Sequence, residues 1–473
     1  MRPVATVAEV RAADAAALEH VDHDTLVARA GRGVVRGALE LLGTAYGRRV
    51  VVLAGKGSNG ADGRAAARLL ERRGARTMVV DAAAPGSALP RCDLLIDAAY
   101  GTGFRGHYEA PAVPEGAKVL AVDIPSGVDG DTGRASGTPL PADLTVTMAA
   151  LKPGLLQDDG LRTAGTVEVA DIGVRIEHTA IKLMEDGDVA RLLPLRATDA
   201  QKWDAAVAVV AGSPGMEGAA ILATTGATRS GAGMVRLAVP GSWEPDRPSV
   251  VVAWPAEAVR LALPSTGWSG DVLAVLDRCR VLVVGPGLGR DDATQSEVRR
   301  LIAHCPVPVV VDADALFAMG SVSSLATQVG RGRTMVLTPH DGEYRRMSGD
   351  LPGGDRVAAA RRLAELTGAV VLLKGRSTAV ASPEGEVLMA TAGSPRLATA
   401  GTGDVLSGMI GAFVARGVPM HQAAALAAHV HGRAAMAGAA EGLVAPDLPM
   451  LVSSWLSGVR AHRSSGEGVN DHG

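Results

Sequence analysis

Short apolar-rich runs, most of them continuously apolar, recur along the chain, separated by longer stretches in which Ala, Leu and Arg fall at helical spacing. The runs lie at 50–53, 76–80, 94–96, 119–122, 206–210, 281–284, 307–311, 334–337 and 370–373. Residues apolar at consecutive positions suit strands covered on both faces, as in parallel sheets. Helical patterns, such as those at 61–73 and 356–366, stand between them. This alternation predicts α/β architecture with parallel sheets. It comes in two blocks. The first runs to about Gly173, a polar and weakly periodic stretch follows at 175–201, and a fresh strand begins at Ala206. The boundary is placed near Glu177 to Asp186, giving domains at 1–178 and 186–462. The stretch 463–473, rich in Gly, Ser and charge, reads as a disordered tail. No internal repeat is seen.

Composition narrows the class. A length of 473 residues suits two or three domains. Aromatics are only 3% against 47% hydrophobic residues, so the cores must be built from Ala, Val and Leu. A net charge of −3 gives no electrostatic footprint for nucleic acid or an anionic membrane. Cys92, Cys279 and Cys305 show no CxxC spacing, which argues against a disulfide framework or a structural zinc and for a reducing compartment. Residues 1–23 lack the apolar core of a signal peptide. The richest apolar run, 408–415, is too short to span a bilayer. The expectation is a cytoplasmic protein with neither nucleic acid nor membrane as partner.

In the second block, Ala398-Thr399-Ala400-Gly401-Thr402-Gly403-Asp404 precedes an apolar helical run at 405–415. Small residues ahead of a helix let backbone N–H groups close around an anion, and the helix N-terminus adds partial positive charge. Asp404 then serves either as a helix cap or as a base. Polar and glycine-rich loops also follow the strand runs: Gly212-Ser213-Pro214-Gly215, Gly285-Pro286-Gly287-Leu288-Gly289, Thr338-Pro339-His340-Asp341-Gly342-Glu343 and Lys374-Gly375. Open α/β sheets bind ligands at such strand ends, so the series points to a nucleotide phosphate site.

Together with Gly218-Ala219, Arg229-Ser230-Gly231-Ala232-Gly233 and Asp312-Ala313-Asp314-Ala315-Leu316, these motifs make the block, about 186–459, resemble the ADP/ATP-dependent NAD(P)H-hydrate dehydratase family, a branch of the ribokinase-like fold. The resemblance implies removal of the hydroxyl from hydrated NADH or NADPH, with ADP as co-substrate and Mg2+ as cofactor. It implies that Asp404 deprotonates the hydroxyl for attack on the β-phosphate, and that Gly401, Thr402 and Gly403 hold the phosphate charge. Ala219, Gly287, His340 and Asp404 would contact the hydrate. Lys374, Gly375, Arg376, Ser377, Thr378 and Gly403 would contact the nucleotide. Glu343 follows His340 at the spacing of an Asn-x-x-Glu element near magnesium, with His in place of Asn. Asp312 and Asp314, read as loop caps, are assigned no catalysis. A glycine usual in the family soon after the lysine is missing at Lys202-Trp203-Asp204. Sugar and vitamin-precursor kinases share the Gly401–Asp404 motif, so a ribokinase-like kinase with a non-catalytic N-terminal binding module is the alternative.

In the first block, Gly55-Lys56-Gly57-Ser58-Asn59-Gly60-Ala61-Asp62-Gly63 joins a strand to a helix. Asp97-Ala98-Ala99-Tyr100-Gly101-Thr102-Gly103-Phe104-Arg105-Gly106 and Asp123-Ile124-Pro125-Ser126-Gly127-Val128-Asp129 follow two further strand runs. Each loop alone reads as ordinary turn chemistry; together they converge at strand ends. The three resemble the NAD(P)H-hydrate epimerase family over about 8–173. The resemblance implies a hydrate site of Ser58, Asn59, Gly60, Ala61, Asp62, Gly101, Thr102, Gly103, Phe104, Arg105, Gly106, His107 and Asp123. It implies a potassium ion on Asn59, Asp97 and Ser126, whose oxygens suit a hard cation, and acid–base work by Asp123. Lys152, in Leu151-Lys152-Pro153-Gly154, either offsets substrate phosphate charge or is a surface turn lysine, the second reading being preferred. The family loop Asn-Asn-Gly-Gly-Asp has Ser58 for its first Asn and Ala61 for its second Gly, a poor exchange if that position needs positive φ. Both families commonly associate, so a homo-oligomer is expected.

Overall fold

The structure, a computed structural model, describes residues 1–84, 89–242, 253–328 and 334–466. The chain divides into two compact units, Pro3–Ile181 and Met1–Arg2 with Lys182–Gly473.

In Pro3–Ile181, six parallel strands lie in the order Arg76–Asp81, Arg49–Ala54, Leu94–Ala98, Lys118–Val122, Leu144–Met148 and Thr166–Ala170. Alternate residues of Arg49–Ala54 serve two cores, as the period of a strand demands. Val50, Val52 and Ala54 pack with Val34, Ala38, Ala66 and Leu70 of the helices His23–Leu42 and Ser58–Glu71. Val51 and Leu53 meet Leu95, Tyr108 and Val119 on the opposite face. Helix His23–Leu42 starts where Asp22 accepts the Thr25 N–H at 2.8 Å and stops at Gly43. The sheet order reverses at Arg49–Ala54, since its sequence neighbours Arg76–Asp81 and Leu94–Ala98 flank it on either side. Such a switch point opens a crevice beyond the strand ends. The run at 76–80, which opens with Arg76 and Thr77, is not covered on both faces: Arg76–Asp81 is the edge strand, and most of its residues are exposed.

In the second unit, nine consecutive strands of the sheet run in the order Ala258–Ala262, Met234–Val239, Ala206–Val210, Val281–Val284, Val309–Val311, Met335–Leu337, Val370–Leu373, Thr378–Ala381 and Val387–Ala390. The first seven are parallel. The last two form an antiparallel extension that simple strand–helix alternation does not foresee. Helices Glu217–Arg229 and Thr402–Ala415 lie side by side, so close that a Cβ on Gly408 would meet the Ala223 carbonyl oxygen at 2.0 Å. Gly411 of the second helix rests on Val207 and Val283 of the sheet. Val405, Met409, Ile410 and Phe413 are buried in the same core, which is aliphatic and alanine-rich. Residues 463–466, expected in a disordered tail, belong to the helix Leu448–Gly466; 467–473 lie outside the described residues. Cys92, Cys279 and Cys305 are buried and form no disulfide. Among the described residues no helix is long and apolar enough to cross a membrane.

Candidate active sites

The strand ends of the first unit surround a cavity of about 540 Å3. The turn after Arg49–Ala54 brings Ser58, Asn59 and Asp62 to it; the turn after Leu94–Ala98 brings Gly101, Thr102, Gly103 and Phe104; Asp123 enters from Lys118–Val122. Gly60, Ala61, Arg105, Gly106 and His107 are not in its lining. Gly60 packs on the Gly55 carbonyl. His107 is 69% exposed and pairs with Glu109 at 2.6 Å. Ala61 sits in helix Ser58–Glu71 and is not among the residues with positive φ, so alanine carries no backbone strain there.

Lys152 corrects the sequence reading. It is no surface turn lysine but 1% exposed, with Nζ 2.5 Å from Asp123 Oδ1, 2.8 Å from Thr147 Oγ1 and 2.8 Å from the Met148 carbonyl. Asp123 also accepts from the Met148 N–H and has φ 69, in the left-handed region. Non-glycine residues held in this backbone region are strained, and such positions cluster at functional sites. Asp14, unremarked in the sequence, also lines the cavity. Burial, then Asp123 and Asp14, push Asp62 up to about 8. Burial raises Asp14 as well, with Lys152 opposing it. Asp62, its pKa raised, and the Asp123–Lys152 pair thus line one cavity.

Asp97 and Ser126 are not in the lining of this cavity; Ser126 Oγ accepts the N–H of Tyr100, which is. Asp97 is fully buried, its oxygens 2.6 Å from Ser126 Oγ and 2.9 Å from the Ser126 N–H. Burial raises its pKa, against the pull of Ser126 and the Ala99 N–H. Asn59 is buried with Nδ2 unpartnered, its Oδ1 close enough to meet a Cβ placed on Gly101 at 3.3 Å. Asp97, Ser126 and Asn59 carry oxygen donors of the kind a hard monovalent cation takes.

In the second unit, Gly401 is the N-cap of helix Thr402–Ala415, with φ 90, and no side chain caps the helix. Asp404 stands three positions on and is therefore not the cap that one sequence reading allowed. Around it is a charge network. Lys374 Nζ lies 2.8 Å from Asp312 Oδ1 and 3.7 Å from Glu343 Oε2. Asp312 further accepts from Thr338 Oγ1 at 2.7 Å and Ser407 Oγ at 2.5 Å. Burial works against ionisation of Asp312, but Lys374, Ser407 and Thr338 outweigh it and hold its pKa below the usual carboxylate value. Asp404 lacks such partners: burial, then Asp312, raise it to about 7 despite Lys374. Asp312 is thus more than a loop cap; it fixes the lysine. Asp314 accepts from the Gly289 N–H and from Arg290 Nε, bracing the Gly285–Gly289 loop.

Gly287 has φ 62, and a Cβ there would fall 2.8 Å from that of Ala219, so only glycine brings these two backbones together. His340 Nδ1 accepts the Gly342 N–H at 3.0 Å and caps helix Asp341–Ser348, with Glu343 completing the capping box. Lys374 also places Nζ 3.6 Å from a Cβ position on Gly403. Gly375 packs on the Arg356 guanidinium, and Thr378 opens the strand Thr378–Ala381 with its hydroxyl on the Gly375 carbonyl. Ser377 Oγ is buried without a hydrogen-bond partner. Sequence reasoning missed Ser407, one helical turn past Gly403, and His431. Burial drives the His431 imidazole down to about 4 against a hydrogen bond to the Thr402 backbone, so a neutral ring backs the glycine turn. Among the described residues no group of three or more His, Cys, Asp or Glu side chains is arranged to hold a metal ion.

Comparison with known proteins identifies the family. Residues 207–456 match the NAD(P)H-hydrate dehydratase family, and residues 23–85 and 77–154 match the YjeF-related protein N-terminus. The bifunctional NAD(P)H-hydrate repair enzyme of Mycobacterium leprae is 36% identical over 97% of this chain and 99% of its own. That of Mycobacterium tuberculosis is 38% identical over 90% and 92%. An ADP/ATP-dependent NAD(P)H-hydrate dehydratase of Bacillus subtilis, co-crystallised with ATP and Mg2+, superposes with a TM-score of 0.50 at 29% identity, covering 58% of this chain and 97% of that one. A ribokinase-like superfamily protein of Enterococcus faecalis shares the fold, with a TM-score of 0.51 at 21% identity over 60% of this chain and 97% of its own. The two matched regions, in this order on one chain, make it a member of the bifunctional NAD(P)H-hydrate repair enzymes.

Proposed function

We propose that the chain repairs hydrated NADH and NADPH, the first unit interconverting the R and S hydrates and the second dehydrating the S form with ADP. The observation that carries the second activity is Asp404, raised to about 7 beside the Lys374–Asp312 pair at a helix N-terminus. A carboxylate poised there takes the proton of the hydrate hydroxyl near neutral pH. The hydroxyl oxygen then bonds to the β-phosphorus of ADP and AMP leaves. The carbon–oxygen bond next breaks with phosphate as leaving group. Loss of a proton from the neighbouring ring carbon restores the double bond. Thr402 and Gly403 offer first-turn N–H groups to the transferring phosphate. Lys374, Gly375, Arg376, Ser377 and Thr378 hold the nucleotide; Ala219, Gly287 and His340 hold the hydrate. Magnesium, when it comes bound to the nucleotide, offsets phosphate charge.

In the first unit, Ser58, Asn59, Asp62, Gly101 to Phe104 and Asp123 take the hydrate, and Asp123 moves the proton at the hydrated carbon. Potassium on Asn59, Asp97 and Ser126 would supply the positive charge that buried Asp97 lacks. The protein acts in the cytoplasm as a homo-oligomer, which light scattering on the purified chain tests. The activity is tested by following reduced-nicotinamide absorbance in a mixture of both hydrate epimers with ADP and magnesium. Full recovery is expected. Recovery that stalls when one epimer is spent removes the epimerase. A stable phosphorylated product with no recovery assigns a kinase instead.

A further inference from the structure

The motif Arg229-Ser230-Gly231-Ala232-Gly233 has no part in either site above. It ends helix Glu217–Arg229, while Arg416 follows the last turn of Thr402–Ala415. Ala219 and Asp404 occupy the first turns of these same helices. Helices of 13 and 14 residues place the two ends about 20 Å apart.

At the far end, guanidinium groups converge. Arg416 donates to the Ser230 carbonyl at 3.2 Å and to the Pro194 carbonyl at 2.5 Å. Arg460 donates to the same Pro194 oxygen at 3.1 Å and to Leu193 at 3.3 Å. Arg196 donates to the Gly231 carbonyl at 3.1 Å. Gly231 has φ 96, and a Cβ there would stand 3.0 Å from Arg416 Nη1, so glycine at this position admits the guanidinium. Arg229 completes the wall of a cavity of about 360 Å3, where Thr228 and Ser453 add hydroxyls.

Among the described residues none of these four arginines pairs with a carboxylate. Burial, then Arg460 and Arg196, push Arg416 down to about 10. Backbone carbonyls at helix ends offset part of the repulsion. They use only some of the five donors that each guanidinium carries. The remaining donors, in a concave site with uncompensated positive charge, match a tetrahedral oxyanion, which arginine binds in bidentate fashion.

We propose that Arg196, Arg229, Arg416 and Arg460 form a second ligand site for a small phosphate-bearing anion, at the opposite end of the helix pair from Asp404. The cavity lies at the small-molecule end of the size range, fit for a phosphate ester or diphosphate. The test is calorimetric titration of inorganic pyrophosphate into the full chain and into Arg229→Ala/Arg460→Ala. Saturable binding that weakens at least about ten-fold in the double variant, with ADP-dependent recovery of hydrate unchanged, is the expected result. Arg229→Ala alone, an exposed position, serves if the double variant does not fold by circular dichroism. Equal binding in variant and parent overturns the site. So does a parent response that sodium chloride of the same ionic strength reproduces.

Discussion

Lys152 Nζ and Asp123 Oδ1 stand 2.5 Å apart, the lysine almost wholly buried and the aspartate at a left-handed backbone position on the cavity wall. A charge held this way is costly to orphan. Lys152→Met is expected to destabilise the fold by about 3 kcal/mol, because it leaves Asp123 charged without its counter-ion. Chemical denaturation measures the loss. Interconversion of hydrate epimers should fall together with it, while ADP-dependent dehydration of the S epimer persists. Unchanged stability would mean that Thr147 and the Met148 N–H suffice to hold Asp123.

Asp404→Asn should lower ADP-dependent dehydration about 100- to 10,000-fold with the fold intact, the range for loss of a positioned base. In the parent chain the rate should rise with pH through about 7 and level above it, since the carboxylate is the active form. The residual rate of the variant should lose that inflection. Steady-state kinetics from pH 5 to 9 decides the point.

Asp62 gives a stability prediction of opposite sense to an ordinary paired carboxylate. Its folded pKa of about 8 lies well above the ordinary aspartate value of about 3.9, so the native state holds the extra proton between those values. Stability from this group is therefore present below about 4 and is lost as pH rises to about 8. Asp62→Asn should remove that slope and leave the variant more stable than the parent at pH 9, by about 2 kcal/mol. Thermal melts of both proteins at pH 5 and pH 9 test it.

Lys374→Met isolates Asp312, which is buried among Thr338 and Ser407. A loss of about 3 kcal/mol is expected, together with weaker ADP binding. The pair Lys374→Met with Asp312→Leu should recover part of the stability and none of the ADP binding. Denaturant unfolding and calorimetry separate the two effects.

Ser58→Asn with Ala61→Gly rebuilds the family loop. Ala61 is helical without positive φ, so its exchange should cost up to about 1 kcal/mol and leave epimerisation unaltered. Any change in epimerisation rate should follow Ser58→Asn, whose side chain lines the cavity. The two single variants tell these apart.

What the sequence determined by itself was local. Continuous apolar runs such as 206–210 and 281–284 marked the central parallel strands, because a strand covered on both faces has no polar side to show. The loops at their ends marked the binding edges, since glycine and small residues have few other reasons to recur there. Strands whose pattern is mixed, Leu144–Met148 with its threonines and Thr166–Ala170 with Glu168, were not legible this way. Tertiary structure decided what depends on distance through space. Lys152 reads as a turn residue until the fold buries it against Asp123, 29 positions away in sequence. Asp312 reads as a cap until Lys374, 62 positions on, reaches it. The proton on Asp62, the poise of Asp404 and the gathering of Arg196, Arg229, Arg416 and Arg460 arise from burial and from neighbours remote in the chain. Electrostatic character belongs to the assembled environment and not to residue type, which is why it appears only when the chain has folded.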